Sequence, residues 1–210
     1  MGSPPTADVG EQESTMDRVK DSIRAKAIEL GFAEAHFTSA EPVAGAAEGL
    51  TEFLAEGRHG DMHWMAASAD RRTSPKALWP AARSVIVVAD NYGPAGDPLA
   101  GLQHAERGQV SVYARGGDYH DVCKKRLKAL ARWLTVAHGG EAKLFVDTAP
   151  VMEKPLAVRA GLGWQGRHTN LVSRRFGSWL FLGELFTTLD LAADPPEGDH
   201  CGTCRACQAA

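Results

Sequence analysis

Cys201, Cys204 and Cys207 hold three of the chain's four cysteines within seven residues. Their C-x2-C-x2-C spacing lets successive thiolates converge on one face of an iron–sulfur cubane, as at the start of a bacterial ferredoxin-type run. Such a run continues with three residues, a fourth cysteine and a proline. Gln208, Ala209 and Ala210 fill the three-residue spacer. The expectation is therefore a Cys-Pro directly beyond Ala210, with this chain cut one residue short of the fourth ligand. Zinc is the alternative, with His200 completing a Cys3His set. Adjacent His200 and Cys201 suit a single tetrahedral ion poorly. Cys123 stands alone in a helical stretch.

The second candidate is Asp147, which closes the apolar run Leu144-Phe145-Val146. A carboxyl at a strand end is partly desolvated, and desolvation raises its pKa toward what a general acid needs. Its sequence neighbours Thr148, Ala149 and Pro150 bring no cation to oppose that. The competing role is an N-cap for a helix starting near Pro150. A third knot, Arg115-Gly116-Gly117-Asp118-Tyr119-His120, precedes the strongest helical pattern. Asp118 is a natural N-cap there, while Arg115, Tyr119 and His120 offer contacts to a polar or anionic substrate. Gly161-Leu162-Gly163-Trp164-Gln165-Gly166 matches G-x-G-x-x-G, but after a helix rather than a strand, so it does not indicate a dinucleotide site. Its glycines, with Gly177 and Gly183, are expected to let backbone approach something large and flat, beside the apolar faces of Trp164, Trp179 and Phe181. His59 and His63 are four apart, but Gly60 between them argues against a helical metal pair.

These residues need a scaffold, and the composition supplies one. The chain has 210 residues, 44% hydrophobic and 23% charged, with a formal net charge of −3. Those values are ordinary for a globular protein and exclude a disordered, collagenous or strongly basic one. The longest apolar runs are too short to span a bilayer. Residues 1–15 read as a polar leader without secretory character, so a cytosolic setting follows, where clustered thiols bind metals or do redox work more often than they form disulfides. From Asp17, Val19, Ile23, Ala27 and Leu30 mark one helix face, ended by Gly31. Phe32–Phe37 predicts a strand and Gly49–Ala55 a helix closed by Gly57. Arg58–Met65 predicts a polar loop. Ser84–Ala89 predicts a strand buried on both faces, and Asn91–Gly108 a long loop. Val110–Tyr113 predicts a strand. Tyr119–His138 predicts a helix with Val122, Leu127, Leu130, Trp133 and Leu134 on its apolar stripe. Leu144–Asp147 predicts a strand and Met152–Ala160 a helix capped by Gly161. Leu171–Val172 and Trp179–Thr187 predict a hairpin turning at Phe176-Gly177-Ser178. Beyond Asp190 a Pro- and Gly-rich linker leads toward a second unit.

Taken together, several blocks resemble the cobalamin-dependent epoxyqueuosine reductases, in the same order and over residues 16–210. They are His59-Gly60-Asp61-Met62, Arg72 with Pro75, Ser84–Val88 with Asn91-Tyr92, Tyr113–His120, Val146–Pro150, Ala160–Leu171, Gly177-Ser178 with Gly183-Glu184, and the terminal cysteines. The resemblance implies an α/β fold, a mixed sheet with flanking helices. A corrinoid-binding reductase domain over residues 16–190 would be followed, over 191–210, by the start of a ferredoxin-like [4Fe-4S] domain. It implies reduction of the epoxide of epoxyqueuosine in tRNA, with Asp147 as proton donor. It further implies cobalamin contacts by Arg72, Ser111, Asp147, Asn170, Leu171, Ser173, Leu182 and Gly183, and cluster ligation by Cys201, Cys204 and Cys207, the first of two clusters in the intact protein. Arg115, Tyr119, His120 and Arg167 are the implied substrate contacts, with Lys124 and Lys125 adding to a basic rim. A flavodoxin or ferredoxin donor, a monomeric state and a cytoplasmic location complete the expectation. The rival readings are a reductive dehalogenase on the same scaffold, and a non-catalytic zinc or tRNA-binding module.

Overall fold

The structure, a computed structural model, describes residues 9–209, with side chains described from Met16. Helix α1 (Val9–Glu29) starts within the segment read as a leader; residues 1–8 lie outside the described residues. Then follow β1 (Glu34–Ser39), α2 (Ala46–Ala55), α3 (His63–Ala67), α4 (Ala69–Arg72), α5 (Pro75–Leu78) and β2 (Ser84–Asn91). After a long loop come α6 (Tyr119–His138), β3 (Ala142–Phe145), α7 (Glu153–Arg159), β4 (Trp164–Gln165), β5 (Leu171–Val172) and β6 (Leu180–Thr187).

Four strands form one sheet in the order β1-β2-β6-β3. Every pairing in it is antiparallel, so the expected mixed sheet is corrected. Helices α1 and α6 cover one face, where Ile23, Ala27, Leu127, Leu130 and Leu134 pack on Phe37, Ile86, Val88 and Leu185. On the other face α7 and the β4–β5 ribbon bury Val85, Val87, Leu156, Ala157, Leu171 and Phe186. Strand β2 lies between two partners and under both layers, which is why its apolar run is continuous rather than alternating.

Helix α6 has the expected bounds. Asp118 caps it by accepting the His120 N–H at 2.9 Å, and Gly139 ends it at φ 77°. Its buried stripe is Cys123, Leu127, Leu130 and Leu134; Val122, expected there, is 40% exposed. Three other expectations fail. Residues 63–67 of the supposed polar loop are helical, because Trp64 and Met65 continue a turn started at Met62. Val112–Ala114 is a 3-10 turn rather than strand. Strand β5 pairs with β4 and not with β6, while Ser173 and Gly177 bridge the turn between β5 and β6.

Three glycines are explained by the chain's own packing. A Cβ at Gly163 would lie 2.1 Å from the Val172 carbonyl oxygen, one at Gly161 2.2 Å from that of Pro195, and one at Gly183 2.8 Å from Leu127. The segment after Asp190 also packs onto the sheet. Leu191 is buried, and Asp194 accepts the Phe37 N–H at 2.9 Å and pairs with Lys20 and Arg24, each at 2.7 Å.

Candidate active site

Asp147 lies two residues beyond β3, in a turn rather than on the strand itself. Its φ is 51°, a left-handed conformation that L side chains seldom adopt. Asp147 does not cap α7: Met152 holds that position, and the Asp147 carboxylate points at the start of α6. There the Tyr119 hydroxyl donates to Asp147 Oδ2 at 2.9 Å, and His120 Nε2 meets the same oxygen at 3.0 Å. The opposite His120 nitrogen, Nδ1, lies 2.7 Å from Asp118. Two carboxylates thus hold one imidazole in place. Behind the turn, the Asp147 N–H donates to Glu153 Oε1 at 2.7 Å.

The electrostatics follow from these contacts. The His120 hydrogen bond holds the Asp147 carboxyl below its ordinary range, overriding the opposing effect of burial. Reciprocally, the hydrogen bonds from Asp147 and then Asp118 push His120 up. The sequence expectation that nothing local lowers Asp147 is corrected, because its cation comes from 27 residues away. Burial and the nearby Asp147 carboxylate push the Tyr119 hydroxyl upward, so it gives up its proton less readily than Asp147.

Aromatic rings lead away from this acid. His120 stacks on Tyr119 at 4.0 Å, Tyr119 on Phe181 at 3.9 Å, and Phe181 on Tyr92 at 4.3 Å. A cavity of about 360 Å³ beside this stack is lined by Asp90, Tyr113 and Arg115 among others. A second cavity, of about 370 Å³, contains Asp147 and Glu153 in its wall. Its lining includes the apolar Leu50, Met65, Val151 and Met152, together with the cations Arg72 and Lys154. The Arg72 guanidinium lies 5.1 Å from the centre of the Trp64 ring and donates to Ser68 Oγ at 3.1 Å.

Among the residues the resemblance implied, Tyr119, His120 and Asp147 come together, and Arg72 shares the second cavity with Asp147. Arg115 lines the first cavity and donates to the Val110 carbonyl at 3.1 Å. Asn170 accepts from Lys154 at 3.1 Å. Ser111 is exposed at the 3-10 turn, and the buried Ser173 accepts the Arg175 N–H at 3.2 Å. Leu171 is only 5% exposed and packs in the core, with Leu182 half-buried beside the same layer. Gly183 turns its open side to Leu127, on the opposite face of the sheet. Arg167 reaches none of these groups: it donates to the carbonyls of Cys204 at 3.1 Å and Gly202 at 2.5 Å.

Cys201, Cys204 and Cys207 are free thiols, Cys204 and Cys207 exposed. Among the described residues, no three His, Cys, Asp or Glu side chains are gathered as metal ligands. The thiols have the right chemistry for a cluster, but the loop does not converge them. Sequence reading missed Glu153, Glu184, Trp64 and Lys154. For Glu184 a signal existed: Leu180, Leu182, Glu184 and Phe186 share one strand face, so an acid there is forced inside.

The antiparallel sheet with helices on both sides, and the acid beyond its edge strand beside a cavity, define an α/β fold. A catabolic reductive dehalogenase shares that fold at TM-score 0.53 and 24% identity, over 88% of this chain and 22% of that one. A closer relation lies elsewhere. The family model described as "Epoxyqueuosine reductase QueG, DUF1730" matches residues 72–148. Epoxyqueuosine reductases of Gloeobacter violaceus and Xanthomonas campestris are 44% and 43% identical over 90% and 88% of this chain. The chain spans 58% and 53% of their lengths. The solved epoxyqueuosine reductase of Streptococcus thermophilus matches at TM-score 0.77 and 30% identity, over 91% of this chain and 52% of that one. Another, solved with an epoxyqueuosine-modified tRNA stem loop, matches at TM-score 0.78 and 26% identity, over 93% and 52%. By sequence and by fold, the chain is related to the epoxyqueuosine reductases over about nine-tenths of its length.

Proposed function

We propose that this chain is the acid-bearing part of an epoxyqueuosine reductase, which removes the epoxide oxygen of epoxyqueuosine in tRNA. The observation that carries the reading is Asp147, held by His120 and Tyr119 and lining a largely apolar cavity. Epoxide-to-alkene conversion consumes two electrons and two protons, and the oxygen leaves as water. An oxygen departing without a proton would be a costly alkoxide. Asp147 is the group that meets it. Asp147 is held toward its carboxylate form and His120 toward its protonated form, so a proton held on His120 can pass to the oxygen through Asp147. Stacking on Tyr119 and the bond to Asp118 fix the imidazole for that transfer.

The residues lining the second cavity fit a corrinoid in their chemistry: Leu50, Met65, Val151 and Met152 suit an apolar macrocycle, and Arg72 and Lys154 suit its polar side chains. Bound there, a corrinoid would supply the electrons that no side chain here can. Cys201, Cys204 and Cys207 would ligate an iron–sulfur cluster by their spacing. Because the loop does not gather them, no step is drawn through it. The tRNA partner rests on the relative solved with a modified stem loop. Arg115 and the exposed Lys125 are its candidate contacts. A small donor such as flavodoxin or ferredoxin, a monomeric state and a cytoplasmic setting belong to the same proposal. No helix among the described residues is long and apolar enough to cross a membrane.

The test is conversion of epoxyqueuosine to queuosine in isolated tRNA by the complete enzyme, reconstituted with cobalamin and reduced. Loss of the epoxide oxygen, read by mass spectrometry of the nucleosides, is expected. Unchanged nucleoside with both cofactors bound would exclude the reading.

A further inference from the structure

Glu184 is the most deeply buried acid among the described residues, with 0% exposure. It sits in β6, directly opposite Val87 of β2 and Phe145 of β3, on the face covered by α7. Neither of its carboxylate oxygens receives a hydrogen bond as the groups stand ionised. An unpaired buried carboxylate is not tolerated in an apolar layer, so a proton must be bound there. The carboxyl placed to share it is that of Glu153, which opens α7, the helix over this face, and whose side chain interacts with that of Glu184. Glu153 in turn accepts the Asp147 N–H at 2.7 Å.

We propose that Glu184 and Glu153 share one proton beneath the Asp147 turn, and that this shared proton positions Asp147. Glu184 carries the proton and donates it as a hydrogen bond to Glu153. Glu153 stays ionised and is thereby oriented to receive the Asp147 amide. That amide contact is what the turn needs, because Asp147 is held at φ 51° without glycine's freedom. Burial pushes both glutamates upward, and most strongly Glu184, which agrees with Glu184 as the protonated member. The other charged groups acting on the pair are Asp147, His120 and Arg72. Glu184 and Glu153 are positioning residues: they act on the reaction only through Asp147, so the consequence for catalysis rests on the function proposed above.

Two variants of the full chain separate this from simple space filling. Glu184→Gln keeps a permanent donor toward Glu153; Glu184→Leu keeps volume and removes the donor. Thermal melts and amide hydrogen exchange at Asp147 are compared by NMR. Glu184→Leu removes one partner and leaves the Glu153 carboxylate without its donor, so it is expected to melt below Glu184→Gln. Its Asp147 amide should exchange about 10–100-fold faster than the parent's, the effect of losing a hydrogen bond to a charged acceptor. Glu184→Gln should keep parental protection. An Asp147 amide equally protected in Glu184→Leu, or equally loose in Glu184→Gln, overturns the proposal. Should Glu184→Leu not fold, the infrared difference spectrum of parent minus Glu184→Gln at neutral pH decides. A protonated carboxylic C=O band is expected, and its absence refutes the shared proton. None of these measurements needs the cofactor or tRNA, so failure of epoxide reduction and failure of the positioning pair are told apart.

Discussion

At the Asp147 turn, side chains from α6, α7 and β6 meet, and each polar group is fixed by another. At the cysteine run, backbone does the holding. Arg167 grips two carbonyls, Asp199 accepts the Cys201 N–H at 2.8 Å, and the thiols stay apart. The first region is assembled by folding, since its partners are carried on α6 and α7, helices packed on the two faces of the sheet. The second is a loop whose three thiols, the proposed cluster ligands, are not gathered. A proton-transfer site must be organised before substrate arrives, because misplacement by an ångström forfeits much of its effect. A metal site needs no such preparation, because ligation itself supplies the ordering free energy.

The largest effect that would break this contrast is at Asp147. Asparagine tolerates the left-handed backbone and keeps the amide contact to Glu153, but has no proton to give. In the complete enzyme Asp147→Asn is expected to lower single-turnover conversion of epoxyqueuosine tRNA by about 10²–10⁴-fold, with substrate binding retained. Turnover within a few-fold of the parent would mean the assembled acid site is not the working one.

Thiol reactivity sharpens the other side. Burial pushes the Cys123 thiol up to about 11, and it is 1% exposed. At neutral pH it carries about a hundredfold less thiolate than an ordinary cysteine, before steric shielding is counted. Alkylation of this chain without metal should label Cys201, Cys204 and Cys207 quickly, and Cys123 only on unfolding. Slow labelling of all four would show a tail as organised as the core.

A smaller effect compares two glycines. At Gly183 a methyl group would press on Leu127 at 2.8 Å, whereas at Gly198 nothing lies within 4 Å. Gly183→Ala is expected to cost about 1–3 kcal/mol in urea unfolding. Gly198→Ala should stay within about 0.5 kcal/mol. Equal costs would mean the two regions do not differ in packing.

What the sequence disclosed divides along the same line. Helix α6 was legible to its ends because a long 3.6-residue period met an Asp cap and a Gly stop. Strand β2 was legible because only a doubly covered strand carries such a run. The cysteine spacing was legible because neighbouring residues carry it. The acid site was legible only in pieces. Asp147 and the Tyr119-His120 pair stand out separately, but no local pattern says that they touch or that His120 lowers Asp147. Glu153 looks like any first-turn acid, and its partnership with Glu184 spans 31 residues, on elements brought together only by tertiary packing. The partner of strand β5 is illegible for the same reason, since a two-residue strand has too little pattern to choose one.

The finest test asks whether the His120–Asp147 contact is an ion pair or only a stack on Tyr119, and pH separates the two. Asp147 is held below its ordinary value of 3.8, so its share of stability is present above that range and is lost as pH falls through the lowered value. His120 is held above its ordinary 6.5, so its share is complete below 6.5 and is lost as pH rises through the raised value. The two conditions overlap between 3.8 and 6.5, where both charges stand and the contact is worth most. The Asp147 side chain is 58% exposed, which screens the pair and limits its worth to about 1 kcal/mol. Unfolding curves of parent and His120→Gln, taken across this range, should differ most inside the window. The electrostatic part of that difference should vanish well above it. Glutamine retains a hydrogen-bond donor but neither charge nor ring, so the stacking loss appears as a constant offset and the ion pair as the pH-dependent remainder. A difference that is flat from acid to alkali would assign His120 to the aromatic stack alone. The proton store proposed for Asp147 would then be missing.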